Sequence, residues 1–240
     1  MMNKKISVDL NSPSLYIEED SRLHRLKRRM SYKLPLRLIK NFIINSKINA
    51  NEVELLEIGV GSGYFAKFFK DIYQSSKYTG IEYDYRLIEV TKNLIPDIDL
   101  RQGNAEEFNL QKKYDILVSF QVIEHLYDPE SFIINAYDHL KPNGLLIVTT
   151  PNLNSIAASL MGKKWHGYRE DHVSLKTSKD WETLIKKNGF NCIYSGTTFF
   201  SGLPWLNKLP LGIINWFLLL SFGALPWSRG EAFVGAFKKN

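Results

Sequence analysis

The chain has 240 residues, of which 44% are hydrophobic and 23% charged, a composition typical of one globular domain with a large core. Its single cysteine, Cys192, cannot form an internal disulfide and lies in an apolar segment, which excludes a disulfide scaffold and favours a reducing compartment. Residues 1–14 lack the apolar stretch of a secretory signal. We therefore expect a cytoplasmic protein in which Cys192 is a core residue.

Positive charge is concentrated before the first predicted strand, although the net charge of the chain is only +6. Such a cluster could bind anionic lipid, phosphate or nucleic acid, or it could be a solvated helix face. We assign residues 1–50 to a basic helical leader or cap and residues 51–240 to the main domain. The cluster comprises Arg22, Arg25, Lys27, Arg28, Arg29, Lys33, Arg37 and Lys40.

Strands and helices alternate along the rest of the chain, and this order predicts a parallel sheet covered by helices on both faces. The predicted strands are Val53–Ile58, Tyr78–Glu82, Ile98–Gln102, Tyr114–Phe120, Leu145–Thr150, Phe190–Thr197 and Ala232–Lys238. The predicted helices include Phe65–Tyr73, Tyr85–Asn93 and Ser131–Leu140.

Local signals mark several boundaries. Asp128-Pro129-Glu130 predicts the start of a helix, and residues 141–144 predict a turn into the next strand. Thr177 and Asp180 form the pattern of a capping box, opening a helix that Gly189 ends.

A glycine-rich loop follows the first strand. Glu57 precedes Gly59, Gly61 and Gly63, and glycines at alternate positions let the backbone turn sharply and approach a ligand, while amides at the next helix's N-terminus face an anionic group. A dinucleotide fingerprint would require a small residue where this chain has Tyr64, so we discount that alternative. A glycine-rich turn without a ligand remains the other alternative.

Two further features follow the second and third strands. Glu82 ends the second strand at the separation from the glycines that puts an acid under ribose hydroxyls, and Tyr83 would lie against an adenine face. The turn Gly103-Asn104-Ala105-Glu106 could read the adenine edge, or it could be an ordinary turn.

Together these motifs resemble those of class I S-adenosylmethionine-dependent methyltransferases, over residues 50–195. The resemblance implies an α/β, Rossmann-like, doubly wound seven-stranded sheet with order 3-2-1-4-5-7-6, the last strand antiparallel. It also implies S-adenosylmethionine as the cofactor and a set of contacts for it. In these, Glu57 with Gly59, Gly61 and Gly63 would lie at the methionine end, Glu82 at the ribose, Asn104 and Ala105 at the adenine, and Phe120 and Gln121 near the sulfonium.

Within that family, the segments 121–126 and 149–152 are most similar to two groups, the ubiquinone-biosynthesis O-methyltransferases and the small-RNA terminal 2′-O-methyltransferases. Both groups have a Glu-x-x-Glu-His pattern with a later histidine, which can hold a divalent cation. Glu124, His125 and His172 match this pattern, whereas Gln121 replaces the first glutamate. Because the neutral amide removes one negative charge, we expect weak affinity for a hard metal and assign no metal ligand.

We propose His125 or His172 as general base, with Glu124 orienting one of them. An alternative for His125 is a capping or packing role near Asp128. His172 lies in a polar, aromatic loop, a type of segment that more often lines a site than fills a core.

An apolar insert at residues 201–230 separates the last two strands. Its stretch Leu209–Leu225 is short for a bilayer span and is bracketed by prolines. An interfacial or re-entrant helix, a lid over the acceptor pocket, and a core helix or dimer contact all remain open.

The sequence therefore favours O-methylation of a hydrophobic small molecule, quinone precursor, lipid or lipid-linked sugar, with the protein free in the cytoplasm or peripheral at the inner face of the membrane. Nucleic-acid 2′-O-methylation is the second hypothesis, disfavoured by Gln121 and by the apolar insert. A regulatory protein that binds the cofactor without catalysis is the third.

Overall fold

The computed structural model describes residues 29–198, 212–214, 217 and 224–240. These residues form helices and strands that alternate for most of the chain. In chain order they are α1 (Lys33–Asn45), β1 (Glu54–Ile58), α2 (Tyr64–Ile72), β2 (Lys77–Glu82), α3 (Tyr85–Leu94), β3 (Asp99–Gln102), β4 (Tyr114–Phe120), α4 (Pro129–His139), β5 (Leu140–Pro151), α5 (Ile156–Met161), α6 (Ser178–Lys187), β6 (Phe190–Thr198), β7 (Ala224–Leu225) and β8 (Ala232–Lys239).

The strands form one sheet in the order β3-β2-β1-β4-β5-β8-β6-β7. Strands β3, β2, β1, β4 and β5 are parallel, and β8 inserts antiparallel between β5 and β6. The predicted order, with an antiparallel last strand, is confirmed. The short strand β7, paired with β6 at the edge, is an eighth strand that the sequence pattern did not predict.

Helices cover both faces of the sheet, and neighbouring residues of one strand pack into opposite layers. Leu55 of β1 packs in the cluster that contains α1 and α2 residues, whereas Leu56 packs with residues of α4 and α6. This alternation is the pleat of a strand that is buried on both sides. The sheet therefore fixes the carboxyl ends of its parallel strands at one edge, where the site lies.

Most predicted boundaries agree with the structure to within one or two residues. Asp128 caps α4 with Pro129 in the first turn, and Thr177 and Asp180 form the predicted capping box. Gly189, at φ +91°, follows α6 as its end signal. The expected turn at residues 141–144 is instead an irregular start of β5, which begins at Leu140 and has a register shift against β4.

The described part of the leader is integral to the fold. Residues 29–31 are helical, and a turn at Tyr32 separates them from α1, which begins at Lys33. Pro35 has no N–H to bond the carbonyl of Ser31, so the helical hydrogen bonds are interrupted at this point. Ile39, Phe42 and Ile43 of α1 pack into the core. The basic residues at 22, 25, 27 and 28 lie outside the described residues.

Most of the apolar insert also lies outside the described residues. Residues 212–214 and 217 are helical, with Ile213, Ile214 and Phe217 exposed, whereas Ala224–Leu225, at the end of the predicted apolar stretch, form β7. Within the ranges that the structure describes, no helix combines the length and apolar character that a membrane span needs.

Candidate cofactor and acceptor site

A cavity of about 1180 Å³ lies at the carboxyl ends of the parallel strands, where Ile58, Glu82 and Phe120 line it. Open α/β sheets bind their ligands at this edge. The volume is above the range of about 300–1,000 Å³ that is usual for one drug-sized ligand. The cavity therefore has room for a cofactor together with a second molecule.

The glycine loop forms one wall, and its glycines have different surroundings. All three have positive φ, at +78° for Gly59, +56° for Gly61 and +76° for Gly63. A Cβ on Gly59 would lie 2.2 Å from the Val122 Cγ2, whereas a Cβ on Gly61 would meet no atom within 4 Å. Gly59 is therefore required by packing, and Gly61 borders open cavity.

Glu82 joins the end of β2 to this loop through three backbone amides. Its Oε2 accepts from the Gly61 N–H at 2.8 Å, and its Oε1 accepts from the amides of Tyr83 at 2.8 Å and Asp84 at 3.0 Å. The carboxylate is thus fixed at the cavity wall. The Gly61 amide is therefore engaged by Glu82 within the chain.

Glu57 lies deeper than the sequence suggested. Only 2% of the residue is exposed, and its Oε2 accepts a hydrogen bond from the Tyr78 phenol. Burial raises the pKa of Glu57 well above its usual range. Glu57 still borders the cavity, but its recorded partner is another side chain, and its role at the methionine end stays a prediction.

The predicted adenine-side residues are brought together around the cavity. Tyr83, Asn104 and Ala105 all line it, and Tyr83 is 72% exposed, as a ring available for stacking would be. The Asn104 Oδ1 accepts from the Glu106 amide at 3.0 Å, so this oxygen also holds the turn.

Phe120 and Gln121 lie at the end of β4, as predicted. The Phe120 ring packs on Phe65 at 4.6 Å and on Tyr32 at 5.2 Å between centroids. Gln121 has φ +55°, its amide donates to the Thr149 carbonyl at 2.9 Å, and its Nε2 donates to the Thr149 Oγ1 at 3.2 Å. A non-glycine residue in this region is strained, and such strain clusters at functional sites.

The two candidate histidines are in contact. Their ring centroids are 4.7 Å apart with an interplanar angle of 84°. The His125 Nδ1 lies 3.0 Å from the Asp171 carbonyl oxygen, and the His172 Nδ1 lies 2.8 Å from the Gly167 carbonyl oxygen. Because carbonyls only accept, Nδ1 carries the hydrogen in each ring and Nε2 keeps the lone pair in the neutral form. The recorded contacts of His125 are with Asp171 and His172, while Asp128 caps α4, so its packing near Asp128 stays an untested alternative.

Burial favours the neutral form of both imidazoles. Burial lowers the pKa of His125 and of His172, and for His125 the neighbouring Asp171 partly opposes the shift. The Asp171 Oδ2 is 3.4 Å from the His125 Nδ1. Only His125 of the pair lines the cavity, so the cavity wall presents His125 while His172 packs behind it.

Glu124 does not orient either ring by a hydrogen bond in the described structure. It is 1% exposed, and neither carboxyl oxygen has a hydrogen-bond partner among the described residues. Burial raises its pKa to about 8. The carbonyls of Gly167 and Asp171 accept from the Nδ1 atoms of the two rings instead. The sequence pattern could not reveal these contacts, because they depend on the conformation of the loop that contains residues 167–172.

One oxygen or nitrogen from each of Glu124, His125 and His172 lies within 4.8 Å of the others, so the three could hold a metal ion. Two imidazoles and one carboxylate suit transition metals better than Mg²⁺. Carbonyls that fix the Nδ1 hydrogens are also the outer partners that metal-binding histidines use. Gln121 contributes no carboxylate here, as expected from the sequence.

Sequence reasoning missed four residues that line the cavity, two in the leader and two around the start of β8. Met30 and Leu34 line it from the leader, and Val234 and Glu231 line it from β8 and the residue before it. The Glu231 carboxylate accepts from the Trp165 Nε1 at 2.5 Å and lies 3.1 Å from the His166 Nε2. No local motif marks these residues. The two in the leader are about 200 positions from the two near β8, and only the fold brings both pairs to one cavity.

The family model described as a methyltransferase domain matches residues 23–195. A probable S-adenosylmethionine-dependent methyltransferase from Mycolicibacterium smegmatis is 36% identical over 100 residues, which are 41% of this chain and 38% of that protein. A ubiquinone biosynthesis O-methyltransferase from Rickettsia typhi is 29% identical over 168 residues, 62% of this chain and 66% of that protein. The matched region spans less than half the length of the first of these relatives.

Solved structures show the same fold at low identity. The plantazolicin methyltransferase BamL, in complex with a triazolic desmethylPZN analog and SAH, has a TM-score of 0.63 at 17% identity, covering 94% of this chain and 88% of that one. Magnesium protoporphyrin IX methyltransferase from Synechocystis PCC 6803, with bound SAH, has a TM-score of 0.62 at 10% identity, covering 94% and 91%. The chain therefore belongs to the methyltransferase domain family and has the class I S-adenosylmethionine-dependent methyltransferase fold.

Proposed function

We propose that the protein transfers a methyl group from S-adenosylmethionine to an oxygen atom of a hydrophobic, lipid-like acceptor. The observation that carries this proposal is one continuous cavity. Its lining includes the glycine loop and Glu82, the imidazole of His125, and the apolar side chains of Met30, Leu34 and Val234. A cofactor site, a proton acceptor and an apolar binding wall thus share one space.

The residues present fit the cofactor. Gly61 offers a wall without a side chain, where a Cβ would project into open space. The Glu82 carboxylate is held in the cavity wall by backbone amides, so it is preorganised to accept hydrogen bonds from hydroxyl groups. The cofactor supplies an electrophilic methyl group on a sulfonium when bound.

We assign the role of proton acceptor to His125. Its neutral Nε2 can take the proton of an acceptor hydroxyl as the oxygen becomes the nucleophile. The Asp171 carbonyl fixes the ring, and the Asp171 carboxylate stabilises the imidazolium that forms. Positioning and the exclusion of water supply much of the remaining rate, because methyl transfer is an in-line displacement.

A divalent cation held by the cluster around His125 is the alternative to a histidine base. Glu124, His125 and His172 would hold it, and it would lower the pKa of an acceptor hydroxyl. The close grouping of their ligand atoms favours this alternative, whereas the neutral Gln121 disfavours it for a hard cation. Metal-free protein assayed with and without Mn²⁺ separates the two: activity that needs added metal would replace the histidine base.

The test of the function follows a labelled methyl group. A lysate of cells that lack the protein receives labelled S-adenosylmethionine and then the purified protein, and we expect the label in the lipid fraction. At saturating acceptor, His125→Ala should lower the rate about a hundredfold or more, and His172→Ala less. The matched control His166→Ala, an exposed residue outside the cavity lining, should retain most of that rate. Label in RNA, or no label in any fraction despite cofactor binding, would contradict the proposal.

A further inference from the structure

Helix α1, with the residues that lead into it, has two chemically different faces. Met30 and Leu34 on the inner face line the cavity. On the outer face, Arg29, Lys33 and Arg37 are exposed at a spacing of four residues, and Lys40 extends the row. Residues three and four apart share one side of a helix, so these basic groups form a continuous ridge, which we call the basic ridge.

The segment that carries the basic ridge has no acidic residue of its own. Between residues 21 and 51 the sequence has nine Lys or Arg residues and no Asp or Glu. A helix face that is merely solvated usually mixes charges of both signs, which support one another at this spacing. A ridge of one sign attracts an extended anionic surface.

We propose that the basic ridge docks the protein on an anionic lipid surface, from which the acceptor enters the cavity; the second half of this inference rests on the proposed function. Ile44 lies on the same side of α1 and is 60% exposed, so it can enter the headgroup region while the cations bind phosphates. The exposed residues of α1 include no aromatic ring on which a nucleic-acid base could stack. Both features favour lipid over RNA.

The position of α1 connects docking with the cavity. The outer ridge and the inner wall belong to one helix, so they are separated by about 10 Å, one helix diameter. Leu34 packs against Ala224 and Val234, and the Tyr32 ring packs against Phe120 at the end of β4. A lipid-like acceptor at the docked surface therefore lies beside the apolar wall of the cavity.

Vesicle cosedimentation of the full chain tests the docking. Vesicles of phosphatidylcholine alone are compared with vesicles that also contain phosphatidylglycerol, and we expect binding to the anionic vesicles only, weakened by salt. The double variant Arg37→Glu with Lys40→Glu should bind at least about 25-fold more weakly, because each basic group near the surface is worth about fivefold. The matched control Lys92→Glu with Lys179→Glu, on α3 and α6, changes the net charge equally and should retain binding.

Cofactor affinity serves as the measure of folding, and it should be unchanged in both double variants. Equal vesicle binding by wild type and the Arg37/Lys40 variant would overturn the proposal, as would an equal loss in the control. Binding to a single-stranded RNA oligonucleotide but not to anionic vesicles would overturn it in favour of RNA. Vesicle binding without methyl transfer to any lipid would support docking and contradict the proposed acceptor.

Discussion

Two glycines of the glycine loop, Gly59 and Gly61, should respond differently when each is replaced by alanine. In Gly59→Ala the new Cβ would lie 2.2 Å from the Val122 Cγ2, at a φ of +78°. Overpacking costs about 1–3 kcal/mol and the left-handed conformation about 1–2 kcal/mol more, so we expect a loss of about 2–5 kcal/mol in the free energy of unfolding. In Gly61→Ala only the conformational cost of about 1–2 kcal/mol applies, because no atom lies within 4 Å of the new Cβ.

Among folded molecules, the loss of cofactor affinity should show the opposite order: it should be larger in Gly61→Ala than in Gly59→Ala. The methyl group at Gly61 projects into the cavity, so the affinity for S-adenosylmethionine should fall at least about tenfold, or about 1.4 kcal/mol. Gly61→Val should abolish binding, since a branched side chain fills more of the space. Urea denaturation without cofactor gives the stabilities, and isothermal titration calorimetry gives the affinities.

A double-mutant cycle isolates the steric cause. In a Val122→Ala background, Gly59→Ala should cost about 1–3 kcal/mol less than in the wild type, because the overlapping methyl group is gone. Gly61→Ala should cost the same in both backgrounds. Wild-type cofactor affinity in folded Gly61→Ala protein, or a loss of stability in Gly59→Ala no greater than in Gly61→Ala, would refute this reasoning.

Three further predictions concern carboxylates. Glu82→Gln should weaken cofactor binding by about 1.5–3 kcal/mol, the range for hydrogen bonds to a charged group, measured by calorimetry; unchanged affinity would mean that Glu82 only holds the loop. Burial raises the pKa of Glu54, but its pairs with Lys141 and Lys112 outweigh this and lower it from 4.5 to about 2. Because its folded-state pKa is depressed, Glu54 stabilises the fold by at most about 3 kcal/mol above pH 4.5, and this stabilisation is lost as the pH falls toward 2. In Glu54→Gln the midpoint of urea unfolding should therefore depend less on pH between 4.5 and 2. Glu231→Gln, which keeps an oxygen for its indole partner, should raise the KM for the acceptor and leave cofactor affinity unchanged; a lower cofactor affinity would contradict a role on the acceptor side.

The glycine-loop part of the cavity could be predicted because its signals are local. The loop from Glu57 to Gly63 and the acid at the end of β2 each follow directly after a strand, and parallel strands bring their carboxyl ends to one edge. Even here the sequence did not show that Glu82 uses the Gly61 amide. That bond depends on how far the loop approaches the neighbouring strand, and no residue pattern encodes this distance.

The arrangement of the two histidines was only partly predictable. The pattern supplied His125 and His172, but the roles of Glu124 and Asp171 followed from burial and loop geometry. Glu124 is buried and makes no hydrogen bond to either ring among the described residues, whereas the Asp171 carbonyl lies 3.0 Å from the His125 Nδ1.

The sequence by itself determined the alternation of strands and helices, the caps of α4 and α6, and the glycine loop, because each depends on neighbours within a few residues. Only the tertiary structure decided that α1 forms a cavity wall and that Glu231 lies in the same cavity as Glu82. It also decided that the chain returns through β7. These features join segments that are far apart in sequence, so their contacts form only when the strands have assembled into the sheet.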